Sequence, residues 1–147
     1  MKWRCYNHTF DLSAQGEVMG IVNVTPDSFS DGGKFNKASA GIARGLQLLE
    51  EGAAIIDIGG ESTRPGASDV AAEEETRRVI PVIEGILKEA PEACLSIDTS
   101  KALVARAAID SGAAIINDVT GFRDPEMIQI AAKTAVGVAV MHMQGIP

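Results

Sequence analysis

The segment from residue 19 to residue 33 reads Met19-Gly20-Ile21-Val22-Asn23-Val24-Thr25-Pro26-Asp27-Ser28-Phe29-Ser30-Asp31-Gly32-Gly33. It begins as a short apolar run with β-branched residues and ends as a polar loop that closes on two glycines. This order is typical of a buried strand that runs into a loop. A connection needs only about two to six residues, so the longer polar stretch after Asn23 indicates a binding loop or lid. An ordinary surface loop is the alternative reading of the same composition.

The composition limits the class of protein. The chain has 147 residues, which fits one domain, and 46% of them are apolar, which argues against disorder. The net charge of -7 argues against nucleic acid or a membrane as a partner. Cys5 and Cys94 have no metal-binding spacing, and no apolar run is long enough for a membrane span or a signal region. We therefore expect a cytoplasmic protein with a reduced, buried Cys94.

Strand-like and helix-like segments alternate after residue 17. The apolar runs are continuous, which is typical of strands that are buried on both faces of a parallel sheet with helices outside. Residues 2–12 alternate and predict a small hairpin that turns near Asn7. The predicted strands are 18–23, 53–58, 94–98, 113–117 and 136–141, and the predicted helices are 37–51, 71–89, 101–111 and 124–133.

Three local signals refine the helix ends. Pro81 predicts either a kink in the second helix or a helix start just before that residue. Thr99 or Ser100 is predicted to cap the third helix. The run Asp124-Pro125-Glu126 combines a capping carboxylate, a proline at the first helical position and an acid in the first turn, so it predicts the start of the fourth helix.

One phrase occurs twice, sixty residues apart. Gly52-Ala53-Ala54-Ile55-Ile56-Asp57 returns as Gly112-Ala113-Ala114-Ile115-Ile116-Asn117. The spacing is that of two strand–helix units, with each glycine ending a helix and each Ala-Ile-Ile starting a strand. The echo favours a repeating barrel, although a helix-stop glycine before an apolar strand is common in any α/β fold.

Polar residues stand at or near the ends of all five predicted strands. In a parallel barrel these ends meet on one face, where active sites are built. Buried carboxylates need partners, and a ligand rich in N–H donors would supply them. We favour this reading over separate core polar groups that are satisfied by the backbone. The five residues are Asn23, Asp57, Asp98, Asn117 and His142.

A second loop, Thr63-Arg64-Pro65-Gly66, has the chemistry of an anion site, because an arginine, a hydroxyl and exposed amides suit phosphate or carboxylate. An arginine on a solvent-exposed loop is the alternative. The chain has no Walker or dinucleotide-binding glycine pattern, and its two histidines lie far apart. Any metal should therefore be hard, oxygen-bound and largely hydrated, which indicates Mg²⁺ on a phosphorylated substrate.

These motifs together closely resemble the dihydropteroate synthase family. The resemblance covers the segment 19–33, then Ile56-Asp57-Ile58-Gly59-Gly60-Glu61-Ser62-Thr63-Arg64-Pro65-Gly66, and three shorter motifs in the same order. The shorter motifs are Ser96-Ile97-Asp98-Thr99-Ser100-Lys101, Ile116-Asn117-Asp118 and Met141-His142-Met143-Gln144-Gly145.

The resemblance implies a (β/α)8 barrel of which this chain carries about the first five βα units. Residues 1–147 would then be a pterin-binding barrel domain that is incomplete at its C-terminus. The implied reaction joins p-aminobenzoate to 6-hydroxymethyl-7,8-dihydropterin pyrophosphate, giving dihydropteroate and pyrophosphate, a step of folate synthesis that sulfonamides block. The later aspartate, Ser-Arg-Lys segment and Arg-x-His motif of the family are absent, so we expect the fragment alone to be inactive. A homodimer like that of the family is one option for the complete protein, and the oligomeric state stays open.

The resemblance also implies roles for single residues. Asn23 would contact Mg²⁺, while Asp98 and Asn117 would hydrogen-bond the pterin. Thr63 would lie near the diphosphate, and Arg64 would help to order its loop. Phe29 and Pro65 would flank the aminobenzoate, and no residue is assigned as catalytic. Two rival readings stay open: a methyltetrahydrofolate methyltransferase domain, and a pterin-binding half-barrel without catalysis.

Overall fold

The computed structural model describes residues 1–13, 15–25, 34–62 and 69–142. In these residues a hairpin comes first, followed by four units of strand and helix and a fifth parallel strand. The strands are β1 (Lys2–Cys5), β2 (His8–Asp11), β3 (Met19–Asn23), β4 (Ile55–Gly59), β5 (Cys94–Asp98), β6 (Ile115–Asp118) and β7 (Gly137–Val140). The helices are α1 (Lys34–Glu50), α2 (Ala72–Glu89), α3 (Ala102–Asp110) and α4 (Pro125–Thr134).

The five strands β3 to β7 form one parallel sheet in sequence order. This order confirms the predicted parallel sheet, and β1 and β2 confirm the predicted antiparallel hairpin. The element bounds differ from the predicted ones by three residues or fewer. Consecutive parallel strands with a helix between each pair are the arrangement of a (β/α)8 barrel, of which five strands lie in the described residues. No helix in this part of the chain is long and apolar enough to cross a membrane.

One face of the sheet is covered by the helices. Ile56, Ile58 and Ile97 are fully buried there and pack in a single core with the apolar face of α2. The predicted buried face of that helix is confirmed, since Val79, Val82, Ile83 and Ile86 are buried and Leu87 packs against them. Residues two apart on a strand share a face, so the helices leave the alternate residues of each strand to the opposite side.

The hairpin covers the other face at the N-terminal ends of the strands. Cys5 is completely buried in a small core with Ile55, Cys94 and Ile115, and the rings of Trp3 and Phe10 pack against this core. Burial raises the pKa of the Cys5 thiol to about 11 and that of Cys94 to about 12. Both cysteines are free thiols, which confirms the buried, reduced Cys94.

The repeated phrase forms the same structure twice. Gly52 and Gly112 end α1 and α3 in the left-handed conformation, with φ of 101° and 109°. In each copy the glycine N–H and the following alanine N–H return to carbonyls of the last helical turn, at Leu49 and Leu48 in the first copy and at Ile109 and Ala108 in the second. This pairing is the Schellman ending of a helix, which favours glycine because of its positive φ.

The structure corrects one prediction about a helix end. Neither Thr99 nor Ser100 caps α3, because the cap position is Lys101 and no side chain bonds there. The Thr99 hydroxyl instead accepts the Lys101 N–H at 3.2 Å, so it stabilises the turn before the helix. Asp124 confirms its prediction, since its side chain accepts the Glu126 N–H at the start of α4.

The second correction concerns Pro81. It lies inside α2, which starts at Ala72, so the predicted helix start just before the proline is wrong. Pro81 is exposed, so water can satisfy the backbone carbonyl that has lost its intrahelical donor.

Substituting Gly137 by Ala should weaken the packing of the hairpin against the sheet. A Cβ at this position would overlap Cys5 Sγ and come within 3.0 Å of Cys5 Cβ. We expect a loss of about 1–3 kcal/mol in the free energy of unfolding, measured with urea. Gly16→Ala is the control, because nothing lies within 4 Å of a Cβ there. Equal effects of the two substitutions would show that the hairpin does not pack as described.

Candidate functional site

A row of polar side chains crosses the C-terminal ends of the parallel strands. Asn23, Gly59, Asp98 and Asn117 are register partners from β3 to β6. In-register residues of parallel strands point to the same side, so the three side chains stand on the face opposite the helices. Asn23 is exposed, and Asp98 and Asn117 are partly buried. The structure thus brings together the three described residues that the resemblance assigns to ligands.

Gly59 leaves an opening in this row. A Cβ at this position would lie 3.4 Å from Asp98 Oδ2 and 3.5 Å from Asn23 Oδ1. The space over the glycine backbone is therefore flanked by two oxygen acceptors. A ligand that carries N–H donors, or a hydrated cation, can approach the backbone here without meeting a side chain.

Asp57 and Ser96 form a second layer beneath the row. They are register partners on β4 and β5, two residues before Gly59 and Asp98, and both are buried. Asp57 Oδ2 accepts a hydrogen bond from Asn117 Nδ2 at 2.9 Å. Burial raises the pKa of Asp57, and the side chains of Ser96 and Asn117 partly oppose this rise. Within the described residues, Asp57 Oδ1 and Ser96 Oγ have no partner in hydrogen-bonding geometry.

Asp98 sits in a strongly acidic environment. Burial is the main cause that raises its pKa to about 7, and the nearby carboxylates add to the rise. Those carboxylates belong to Asp57, Glu75, Asp118 and Glu61. Near neutral pH the group is therefore poised between its neutral and ionised forms, and a ligand that donates hydrogen bonds to it would favour the ionised form.

Lys101 neutralises part of this acidic environment. Its Nζ donates to Glu75 Oε2 at 2.8 Å and also to Glu61. Glu75 is completely buried in α2, and Glu61 also accepts the Val70 N–H at 2.7 Å. Burial opposes the charge of Lys101, but the bonds and charges of the two glutamates outweigh it and raise its pKa. The network ties the segment after β4 to α2 and to the segment after β5.

Asp118 fixes the loop that follows β6. It is completely buried, and its carboxylate accepts the N–H of Thr120 at 2.8 Å and that of Phe122 at 2.9 Å. The Thr120 hydroxyl donates to the same carboxylate at 2.8 Å. This pattern holds the loop beside Asn117 in one conformation, which shapes the rim of the site.

His142, the fifth residue of the predicted ring, lies apart from the row. It is exposed beyond the end of β7 and lines a surface groove of about 270 Å³ with Arg123 and residues of the Asp118 loop. Its position shows that a polar residue that follows a predicted strand need not lie on the face of the sheet that carries the row. The ring is thus an in-register row with Asp57 below it and His142 outside it.

Several predicted residues lie outside the described residues. They are Phe29, Thr63, Arg64 and Pro65. The predictions also overlooked Glu75 and Lys101. Glu75 stands in a run of three glutamates, which is typical of an exposed surface. Its spacing of four from the buried Val79, however, places it on the apolar face of α2, and this spacing was the signal in the sequence.

The donor set at the row fits one kind of metal. In the part of the chain that the structure describes, no three His, Cys, Asp or Glu side chains are grouped to hold a metal ion. The exposed amide oxygen of Asn23 could supply a single protein ligand. Such a site suits Mg²⁺ that keeps most of its waters and binds substrate phosphates.

Removing the Lys101 charge should destabilise the chain. In Lys101→Met the buried Glu75 loses its only cationic partner among the described residues. We expect a loss of about 3–5 kcal/mol in the free energy of unfolding at pH 7, measured with urea. Lys133→Met, at an exposed position of α4, should change it by less than about 0.5 kcal/mol. A loss below about 1 kcal/mol at Lys101 would contradict the importance of the network.

Asp98→Asn should change the pH dependence of stability. The pKa of Asp98 is about 7 in the folded chain and close to about 3.9 for an unfolded aspartate. Between these values the folded state binds more protons, so the carboxyl makes wild-type stability fall as pH rises, by at most about 1.4 kcal/mol per pH unit. The variant should therefore gain on the wild type from pH 4 to 7 and not above. Urea unfolding at pH 5, 6, 7 and 8 tests this, and a constant difference would refute it.

The sequence and the fold resemble known proteins. Residues 19–147 match the family described as pterin binding enzyme. Dihydropteroate synthase of Haemophilus influenzae is 46% identical over 147 residues, which are 100% of this chain and 53% of that protein. The chain thus spans about half the length of the relatives it matches.

Two solved structures have the same fold. Xanthomonas albilineans dihydropteroate synthase with 4-aminobenzoic acid gives a TM-score of 0.89 at 50% identity, covering 99% of this chain and 54% of that one. The structure from the same organism in complex with 7,8-dihydropteroate gives 0.85 at 46% identity, covering 98% and 52%. The family match covers the whole parallel sheet and the row of oxygen acceptors at its C-terminal edge. The chain therefore belongs to the pterin binding enzyme family, of which it carries a partial (β/α)8 barrel.

Proposed function

We propose that this chain contributes the pterin end of a dihydropteroate synthase. The complete enzyme would join p-aminobenzoate to 6-hydroxymethyl-7,8-dihydropterin pyrophosphate. The observation that carries this function is the in-register row of Asn23, Asp98 and Asn117, which presents oxygen acceptors at the C-terminal edge of the sheet. Relatives with the name dihydropteroate synthase at about half identity support the same reaction.

The acceptors suit the donor-rich edge of a pterin. That edge carries an amino group beside a ring N–H, as a guanidine does, and a carboxylate can accept two such donors. Asp98 would take this pair of donors, and Asn117 would accept a further one from its place beside Asp98. Binding would favour the ionised form of Asp98, so the partly buried carboxylate would pair with the ligand instead of remaining protonated.

The reaction needs orientation more than acid or base catalysis. The nitrogen of p-aminobenzoate forms a bond to the methylene carbon of the pterin, the C–O bond to the diphosphate breaks, and the nitrogen loses a proton. The family's proposed path is dissociative, with a cation that the pterin stabilises. Asp98 and Asn117 would hold the pterin in place, and their negative and dipolar groups would stabilise positive charge on it.

Mg²⁺ would be held at Asn23, where the amide oxygen flanks the opening over Gly59. When bound, it would neutralise charge on the diphosphate that leaves. Thr63 would contact the substrate near the same diphosphate, and Arg64 would order its loop. Phe29 and Pro65 would lie beside the aminobenzoate.

We also propose the cytoplasm as the site of action, which the free thiols of Cys5 and Cys94 support. The partners would be the two small-molecule substrates, with no nucleic acid or membrane. Residues 1–147 would act as one pterin-binding barrel domain that further chain completes, and the complete protein would be a homodimer. The rival methyltetrahydrofolate methyltransferase reading is less well supported, because the matched relatives carry the synthase name.

Calorimetric titration of the chain with the pterin pyrophosphate and Mg²⁺ tests the function. We expect micromolar binding that Asp98→Ala weakens by at least about tenfold, since a hydrogen-bonded charge is lost. Asp110→Ala is the control, because this exposed aspartate ends α3 on the side of the sheet where the parallel strands begin, away from the row.

Methyltetrahydrofolate is titrated in parallel to separate the rival reading. The synthase assignment predicts that it binds more weakly than the pterin pyrophosphate. Tighter binding of methyltetrahydrofolate, unchanged binding in Asp98→Ala, or no binding by the folded chain would each contradict the function proposed for this chain.

A further inference from the structure

Asp57 is more deeply buried than the residues of the row, and only 4% of it is exposed. It stands on β4, yet its Oδ2 accepts a hydrogen bond from Asn117 Nδ2 on β6 at 2.9 Å. The side chain therefore reaches beneath Asp98, because β5 runs between the two strands. Asp57 thus contacts the row from below rather than belonging to it.

This bond decides which end of the Asn117 amide faces outward. A carboxylate oxygen only accepts hydrogen bonds, so the NH₂ end of the amide is the one held at Asp57. The oxygen and nitrogen are the two branches of one planar amide, so with the nitrogen held at Asp57 the Oδ1 atom is the branch left for a ligand. Asn117 is the register partner of Asp98, and two acceptors therefore stand side by side.

The cost of burying Asp57 argues against a purely structural role. Its Oδ1 atom is buried without a hydrogen bond of good geometry among the described residues, although the Ser96 side chain lies near enough to oppose part of the rise that burial gives to the pKa of Asp57. A buried carboxylate that is only half satisfied is less favourable than an apolar side chain at the same place. Residues that break such local rules concentrate at functional sites.

We propose that Asp57 is a positioning residue, which fixes the rotation of the Asn117 amide so that its carbonyl oxygen, and not its NH₂ group, is presented to the ligand beside Asp98. The identity of the ligand as a pterin rests on the proposed function. The orientation of the amide does not, because it follows from the bond between Asp57 and Asn117 alone.

The first test needs no ligand. In the ¹⁵N spectrum of the 147-residue chain, the Asn117 side-chain NH₂ should exchange slowly with solvent, because one proton is held by Asp57. In Asp57→Ala the acceptor is gone, and the exchange should become at least about tenfold faster. Ser96→Ala is the matched control, since it removes a buried polar group from the same layer without a bond to Asn117. Unchanged exchange in Asp57→Ala would overturn the positioning role.

The second test measures pterin pyrophosphate binding by calorimetry. Asp57→Ala should weaken it by about tenfold, the effect of losing one well-oriented hydrogen bond. In the double variant Asp57→Asn with Asn117→Asp, the new amide at position 57 donates to the new carboxylate at position 117, which still presents an oxygen to the ligand. This variant should therefore bind within about threefold of the wild type. A pair that binds no better than Asp57→Ala would overturn the role, since a purely structural residue would not be rescued by this exchange.

The two tests separate the two proposals. If the wild-type chain does not bind the pterin, the proposed function fails, while the exchange of the Asn117 amide still decides whether Asp57 orients it. If the pterin binds and Asp98→Ala weakens it, but Asp57→Ala changes neither measurement, the function stands and the positioning role fails.

Discussion

The parallel register of β3 to β6 is the constraint on which the site depends. Asn23, Gly59, Asp98 and Asn117 come from four separate strands, and only a pairing without a slip places them in one row. A shift of one residue in any pair would turn that strand's polar residue towards the helices. The buried isoleucines that alternate with the row make such a shift costly, so the apolar packing of the outer face holds the polar inner face in place.

The same arrangement concentrates negative charge. Four carboxylates, those of Asp57, Glu61, Glu75 and Asp118, lie close enough to Asp98 to raise its pKa, and the five groups come from three consecutive βα units. Lys101 and the backbone N–H groups of the Asp118 loop offset part of this charge, while burial, aided by the neighbouring carboxylates, raises the pKa of Asp98. A donor-rich ligand would complete the compensation, so the site is least favourable electrostatically when it is empty.

Much of this architecture could be predicted from the sequence, because it depends on local patterns. Continuous apolar runs predicted the parallel strands, and the glycines of the repeated phrase predicted two helix ends that the structure confirms. The contacts between units could not be predicted in the same way. Glu75 reads as a surface residue until its partner Lys101 is known, and the bond from Asn117 to Asp57 joins residues that are sixty positions apart. Such contacts depend on the three-dimensional register, which no periodicity within one segment encodes.

The packing of the hairpin on the parallel sheet has a consequence for the order in which the chain can fold. Each parallel strand after β3 pairs with the strand of the preceding unit, so the sheet can grow one unit at a time during synthesis. The hairpin of β1 and β2 precedes these strands in the chain, but it packs on Ile55 of β4, Cys94 of β5, Ile115 of β6 and Gly137 of β7. The apolar rings of Trp3 and Phe10 can therefore gain partners once β4 has emerged, but the core on which they pack is complete only when Ile115 of β6 is present. Docking of the hairpin therefore joins residues from four successive strands, β4 to β7, and can be completed only after β7 has formed.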